Sequence, residues 1–380
     1  MLCQAWRGIL STSSRSALLS QARPDAYRHS RPHPTGAEHV HLSVRHTRLA
    51  RYLAPLLSIL ASLIVGSVFI LMAGAHPLRA YGYLARAGFG CQGPGIRCAT
   101  LTALQFSTPL LLSGLSATVA FRTGFFSIGQ YGQMLLGGVV AAWIGSHLSL
   151  PPLLHPLLAL AGGVLCGAGW AGVAGVLKEW LGINEVIVTL VMNQLAVLLV
   201  RLVWIPRIEP SARLLPLIEG TRLSGGFILA LLAAALIYLY LWHFAGGYEQ
   251  RMAGQAHRFA RFGGIFPRRA VIRAVLLSGG LAGLGGAVEV LGVHYRFVTS
   301  FSADSFDGLV VALLGQLHPL GVVLSAVFLG GVRLGALNGL QLQAHIPREL
   351  GGALIAMMLL FVSSRRLFRL GAAHPPELRD

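Results

Sequence analysis

Apolar runs of about twenty residues recur along almost the whole of this chain, and a run of that length matches the hydrocarbon core of a bilayer. Ten can be marked, at roughly 52–73, 101–121, 128–147, 155–177, 184–203, 225–244, 271–292, 306–317, 320–340 and 350–368. A soluble domain carries about a quarter charged residues. Here charged residues make up 11% and apolar residues 54%, too little charge to coat a water-facing surface. The 47 glycines suit the close helix packing of membrane bundles. The chain therefore reads as an all-α polytopic membrane protein. The eighth run is too short to cross as a straight helix and reads as a re-entrant or broken segment.

Charge sets the expected orientation, because basic loops stay on the cytoplasmic side. The formal charge is +17, and Lys178 is the only lysine. Most of the charge lies between or outside the apolar runs, so topology explains it better than nucleic-acid binding does. The basic stretches are residues 1–50, the segment 251–273 and "SSRRLFRL" near the end. Ten crossings put all three on one side. Residues 1–50 hold no apolar run long enough for a signal peptide. They read as a disordered cytoplasmic extension rather than a metal site, despite His29, His33, His39, His41 and His46. A membrane domain is expected over 51–370 and a cytoplasmic tail over 371–380.

A phosphate-binding P-loop needs Gly-Lys-Ser/Thr after a glycine-rich turn. Lys178 is followed by Glu179, so any ATP consumed in transport is hydrolysed by another chain. There is no H-E-x-x-H, no G-x-S-x-G and no compact metal-ligand cluster, so no enzyme activity and no metal site are expected. On this topology "CQGPGIRC" is external. Cys91 and Cys98 are then either a local disulfide or two thiols.

Polar residues inside apolar runs are the candidates for a solute path. In "FRTGFFSIGQYGQMLLGG" (121–138), glycines punctuate the join between two spans, and Gln130 and Gln133 fall at membrane depth. This is either a broken helix along a polar pathway or a site of close helix packing. Glu185, Thr189 and Asn193 recur every four residues in "NEVIVTLVMNQLAVLLV" and share one helix face. They line a path or make structural hydrogen bonds. Glu289 is a lone acid in the seventh run, explained by a structural partner, a vestibule position or proton coupling. Asp304 and Asp307, in "FSADSFDGLVVALLG" (301–315), either cap a helix start or join the path.

The stretch "GYEQRMAGQAHRFARFGGI" (247–265) is polar, basic and helical in pattern, yet lies between two spans. It resembles the cytoplasmic coupling loop of permease subunits in ATP-binding-cassette importers. The likeness is to the branched-chain amino acid, ribose and nucleoside permease group, and within it to the nucleoside/simple-sugar branch. There the loop reads approximately G-Y-E-L-R-A-V-G-x-N-P-x-A-A-R-Y-A-G-I. Gly247, Tyr248, Glu249, Arg251, Gly254, Ala260, Arg261, Gly264 and Ile265 stand in matching places, while Ala256 and His257 replace the asparagine–proline pair. "FFSIGQYGQ" resembles F-N-I-G-x-E-G-Q, with Ser127 and Tyr131 differing. "NEVIVTLVMNQLA" and "EVLGVHYRFVTSFSADSFDGLVVALLGQLHPLG" also resemble that branch, and the resemblance spans about 52–370.

The resemblance implies an inverted-repeat importer permease that moves nucleosides or related simple sugars by alternating access across the bacterial inner membrane. It implies a cytoplasmic ATPase subunit carrying ATP and Mg, a second homologous permease and an external substrate-binding lipoprotein. It makes 247–269 the coupling loop, with Glu249, Arg251, Gly254, Ala260, Arg261 and Gly264 facing the ATPase joint. Arg251 is expected to pair with an acid on the partner or with Glu249. The alternative is an ion-coupled secondary transporter needing no ATPase, with Glu289 or Glu185 carrying the ion.

Overall fold

The computed structural model describes residues 56–363, apart from the short segments 92–97, 204–205, 219–220, 222, 299–301 and 344–348. The expected extension over 1–50 and the tail over 371–380 lie outside the described residues. Among those described the chain is helical throughout, with only isolated bridges at Cys91–Cys98 and Pro216–Ser224.

The helices in order are α1 (Leu56–Met72), α2 (Pro77–Phe89), α3 (Ala99–Arg122), α4 (Gln130–His147), α5 (Leu154–Leu181), α6 (Glu185–Arg201) and α7 (Gly226–His243). Then come α8 (Ala245–Gln255), α9 (His257–Phe262), α10 (Pro267–Glu289), α11 (Ser302–Leu314), α12 (Pro319–Gly335) and α13 (Glu349–Ser363). Among the described residues, five helices are long and apolar enough to cross a membrane: α3, α5, α7, and α10 and α12 with their terminal turns. The bent pair α1–α2 would make a sixth. α11 has only 13 residues, in keeping with the short eighth run.

α2 is the departure from the sequence reading, which marks no helix between the runs at 52–73 and 101–121. It turns back from α1 at 114°. Its buried face, Ala80, Leu84 and Gly88, packs on α12, where Gly88 meets the backbone of Gly331 and Leu84 that of Gly335. Apolar residues spaced four apart carry this face, but their run is too short to register as a span.

α10 lies at the centre, against α3, α4 and α5. Small residues allow this. Gly163 and Gly167 of α5 face Gly279 and Gly283 of α10 backbone to backbone, and Gly137 of α4 meets Gly283. Such close approach builds membrane interfaces from van der Waals contact and not from side-chain interlocking. α7, by contrast, exposes Ile228, Leu232, Leu236 and Leu239, the apolar face that a bilayer covers. Termination is local: Gly182, at φ 66°, caps α5, and the Asn184 side chain accepts from Val186 N–H and Ile187 N–H to start α6. α10 and α12 each begin with Pro and each end in a π turn, at Val290–His294 and Ala336–Gln341. π turns occur often at functional sites.

Candidate functional site

Three clusters hold the polar residues singled out in the sequence. The first is at the end of the bundle that carries α8. The stretch 247–265 is two helices and not one, broken at Ala256 (φ −147°, ψ 74°), where the family pattern has its asparagine. Gly264, at φ 77°, makes the turn into α10. A Cβ on Gly254 would run into the carbonyl of Arg122, at the end of α3. Gly124, itself at φ 77°, passes close to the Gly254 α-carbon on the same side. The close approach at Gly254 is thus to this chain's own backbone, although its other side is exposed.

Glu249 pairs with Arg273 of α10 and not with Arg251. Arg251 instead lies over the Trp242 ring, 5.6 Å from its centroid, with Arg122 over the same ring at 4.6 Å. Arg122 Nε donates to the Leu317 carbonyl at 2.6 Å. His318, in the α11–α12 turn, stacks at 4.8 Å from Trp242. Burial, and then the Arg122 guanidinium, hold the His318 imidazole below the usual histidine range. One indole therefore ties α3, α7, α8 and the α11–α12 turn together. Ala260 is buried, while Arg261 and Gly264 lie on the exposed side. Phe259, Phe262 and Phe266 are exposed aromatics on the same loop, Phe262 at 92%. An open cleft of about 510 Å³ runs between α8 and α10, bordered by Glu249, Gly264, Phe266 and Arg269.

The second cluster is the break before α4. Asn193 donates to the Ile128 carbonyl at 2.9 Å and accepts from Gly132 N–H at 2.9 Å. Thr189 accepts from Ile128 N–H at 3.3 Å. Here the polar stripe on α6 satisfies the freed backbone of residues 128–132, which a membrane interior demands. Glu185 pairs with Lys178 at 3.0 Å. Gln130 Nε2 donates to the Ser127 carbonyl at 3.2 Å, but Gln130 Oε1 and Gln133 Oε1 are buried without a partner among the described residues.

The third cluster is at the opposite end. Glu289 Oε1 lies 3.2 Å from His294 Nε2, and Asp307 Oδ2 lies 3.6 Å from Arg333 Nη1. Asp307 falls well inside α11, too far along to cap its start. The side chain of Asp304 lies outside the described residues. Cys91 and Cys98 are joined by a disulfide before α3.

The sequence reading missed Arg122, Trp242, Gln105, Ser224 and Arg333. Arg333 had a usable signal, an arginine inside an apolar run. Trp242 had none, since an aromatic near a span end is ordinary.

A helical bundle with several apolar spans, broken helices and buried polar groups at depth defines a multi-pass membrane transport protein. The chain belongs to the family described as "Branched-chain amino acid transport system / permease component", whose pattern matches residues 99–363. It is thus a permease subunit of an ATP-binding-cassette importer; the family is one of transport permeases, not of enzymes, and does not favour the secondary-transporter alternative. It is 35% identical to the guanosine ABC transporter permease protein NupP of Bacillus subtilis, over 85% of this chain and 96% of that one. It is 28% identical to the glucose ABC transporter permease protein TsgB13 of Haloferax volcanii, over 84% and 88% of the two chains. It is also 28% identical to the nucleoside ABC transporter permease protein NupB of Lactococcus lactis, over 82% and 91%. No solved structure matches the chain significantly.

Proposed function

We propose that this permease moves nucleosides or related simple sugars inward across a bacterial cytoplasmic membrane. The observation that carries the reading is the near full-length likeness to a guanosine permease. A second guanosine ABC transporter permease protein of Bacillus subtilis, NupQ, is 25% identical over 60% of this chain, and two such related permeases in one organism favour a heterodimer. ATP and Mg sit on a separate ATPase subunit, and an external binding lipoprotein delivers the solute.

In this reading the α8 end is cytoplasmic, as are both termini and the 251–273 loop. The ATPase docks on the exposed aromatic face of the 247–269 loop. Its motion reaches the membrane through the Gly254–Arg122 contact and the Trp242 cluster, then through residues 122–129 into the break before α4. Gln130, Gln133, Glu185, Thr189, Asn193, Glu289, Asp304 and Asp307 are the path candidates. Thr189 and Asn193 hold the broken backbone rather than meeting solute in this conformation.

The test is purification of the assembled complex with its binding protein, identification of the retained ligand, and uptake into proteoliposomes. A retained nucleoside or sugar with ATP-dependent uptake supports the reading. Uptake that persists with a dead ATPase overturns it.

A further inference from the structure

At the end of the bundle away from α8, three buried polar atoms have no hydrogen-bond partner among the described residues: Gln105 Nε2, Ser224 Oγ and Glu289 Oε2. Gln105 is only 4% exposed and Ser224 1%. Each belongs to a different element: α3, the lead-in to α7, and the last residue of α10 before its π turn.

Register brings them together. α3 and α10 run antiparallel. Ser116 Oγ lies 2.9 Å from Ser278 Oγ, and Gly285 faces Leu112. Ser224 N–H donates to Gln105 Oε1 at 3.1 Å, and Gly292 packs on the Ser224 side chain. Glu289, between Gly285 and Gly292, therefore sits at the level of α3 between Leu112 and Gln105. Arg333 lies within electrostatic reach of Glu289 and pairs with Asp307.

Buried groups left unpaired are costly, and a membrane interior supplies no solvent to satisfy them. Gln105 and Ser224 meet directly, and register sets Glu289, whose other carboxylate oxygen is held by His294, beside them; orphans so grouped are hard to retain without an occupant. The set offers an amide donor, a hydroxyl that can give or take, and a carboxylate acceptor. The nearby guanidinium is already neutralised by a carboxylate, so an anion gains little. Neutral vicinal hydroxyls fit this pattern.

We propose that Gln105, Ser224 and Glu289 form a solute site that recognises the hydroxyl-bearing ring of a nucleoside or sugar. This rests on the permease reading above and names the part of the solute that is read. A site built to hydrogen-bond hydroxyls discriminates strongly against an analogue lacking them, because its own buried groups are then left unpaired.

The test uses the permease–ATPase complex in lipid nanodiscs, without the binding protein, and saturation-transfer NMR with guanosine and 2′,3′-dideoxyguanosine. In the wild type, transfer should concentrate on ribose protons, and the dideoxy analogue should bind at least tenfold more weakly. Gln105→Leu and Ser224→Ala should each cut guanosine binding to the nanodiscs at least tenfold and leave binding of the analogue unchanged, collapsing the discrimination. Ser224→Ala removes one atom, so complex yield should hold. Equal loss for both solutes would assign the residues a structural role and refute the site. Lowered thermal stability with unchanged guanosine binding would make the occupant structural water and refute it too. A wild-type complex that shows no transfer in nanodiscs and, in proteoliposomes supplied with its binding protein, no nucleoside or sugar uptake would refute the permease reading itself, and the site with it.

Discussion

Gly254 of α8 rests on the backbone of Arg122, at the end of α3, so closely that a Cβ would meet the carbonyl oxygen. The first obstacle to a side chain at 254 is therefore inside the chain and not on a docking partner. Overpacking of a close contact costs about 1–3 kcal/mol. Gly254→Ala should lower the melting temperature of the purified permease and reduce uptake, since α8 must lift away from α3. Gln255→Ala, one residue on and exposed, is the control and should change neither. A Gly254→Ala permease with wild-type stability and uptake would dismiss the contact.

Phe262 tests the opposite face. At 92% exposed, its ring contributes little to this chain's packing. Aromatic anchors at the centre of an interface often cost 2 kcal/mol or more, roughly thirtyfold, when truncated. Phe262→Ala should leave the melting temperature unchanged and weaken capture of the ATPase subunit at least fivefold in a pull-down. Undiminished capture would move the docking surface elsewhere.

Asn193 holds the break before α4 with one donated and one accepted hydrogen bond. Orphaning a buried polar group costs about 1–3 kcal/mol. Asn193→Leu orphans both the Ile128 carbonyl and Gly132 N–H, so it should destabilise more than Thr189→Val, which orphans only Ile128 N–H. Thermal unfolding in detergent ranks the two, and the reverse order would contradict this geometry.

The pH dependence follows from His318. Its folded pKa is lowered by burial and by Arg122. The unfolded chain then binds a proton more readily, so this group makes stability rise with pH. Its contribution is complete above the ordinary value of about 6.5 and is lost as pH falls through the lowered one. The charged neighbour to consider is Arg122, with Trp242 and Tyr238 as ring contacts. His318→Gln should flatten part of the fall in melting temperature between pH 7 and pH 5. A variant that melts in parallel with the wild type across that range would remove His318 from the account.

The spans were legible because hydrocarbon thickness leaves a length signature that needs no knowledge of neighbours. The coupling stretch was legible as a motif, but its inward and outward faces were not. Gly254 and Arg261 look alike as pattern matches, yet one meets α3 and the other lies on the exposed side. α2 was missed because its buried spacing of four is satisfied only by α12, far along the chain. Gln105 and Ser224 were missed for a related reason. Neither is unusual in its own segment, and each becomes notable only when its unused atom is found beside another's.

The backbone-to-backbone seam of Gly163 and Gly167 with Gly279 and Gly283 limits how the machine can work. Where side chains intervene, a rotamer change can absorb a small slip between helices. Here there is no such cushion, so α5 and α10 must travel as one rigid block, with α4 fastened to it through Gly137. Whatever stroke reaches the bundle turns that block as a whole. Helices that touch it more lightly have to supply the sliding surfaces.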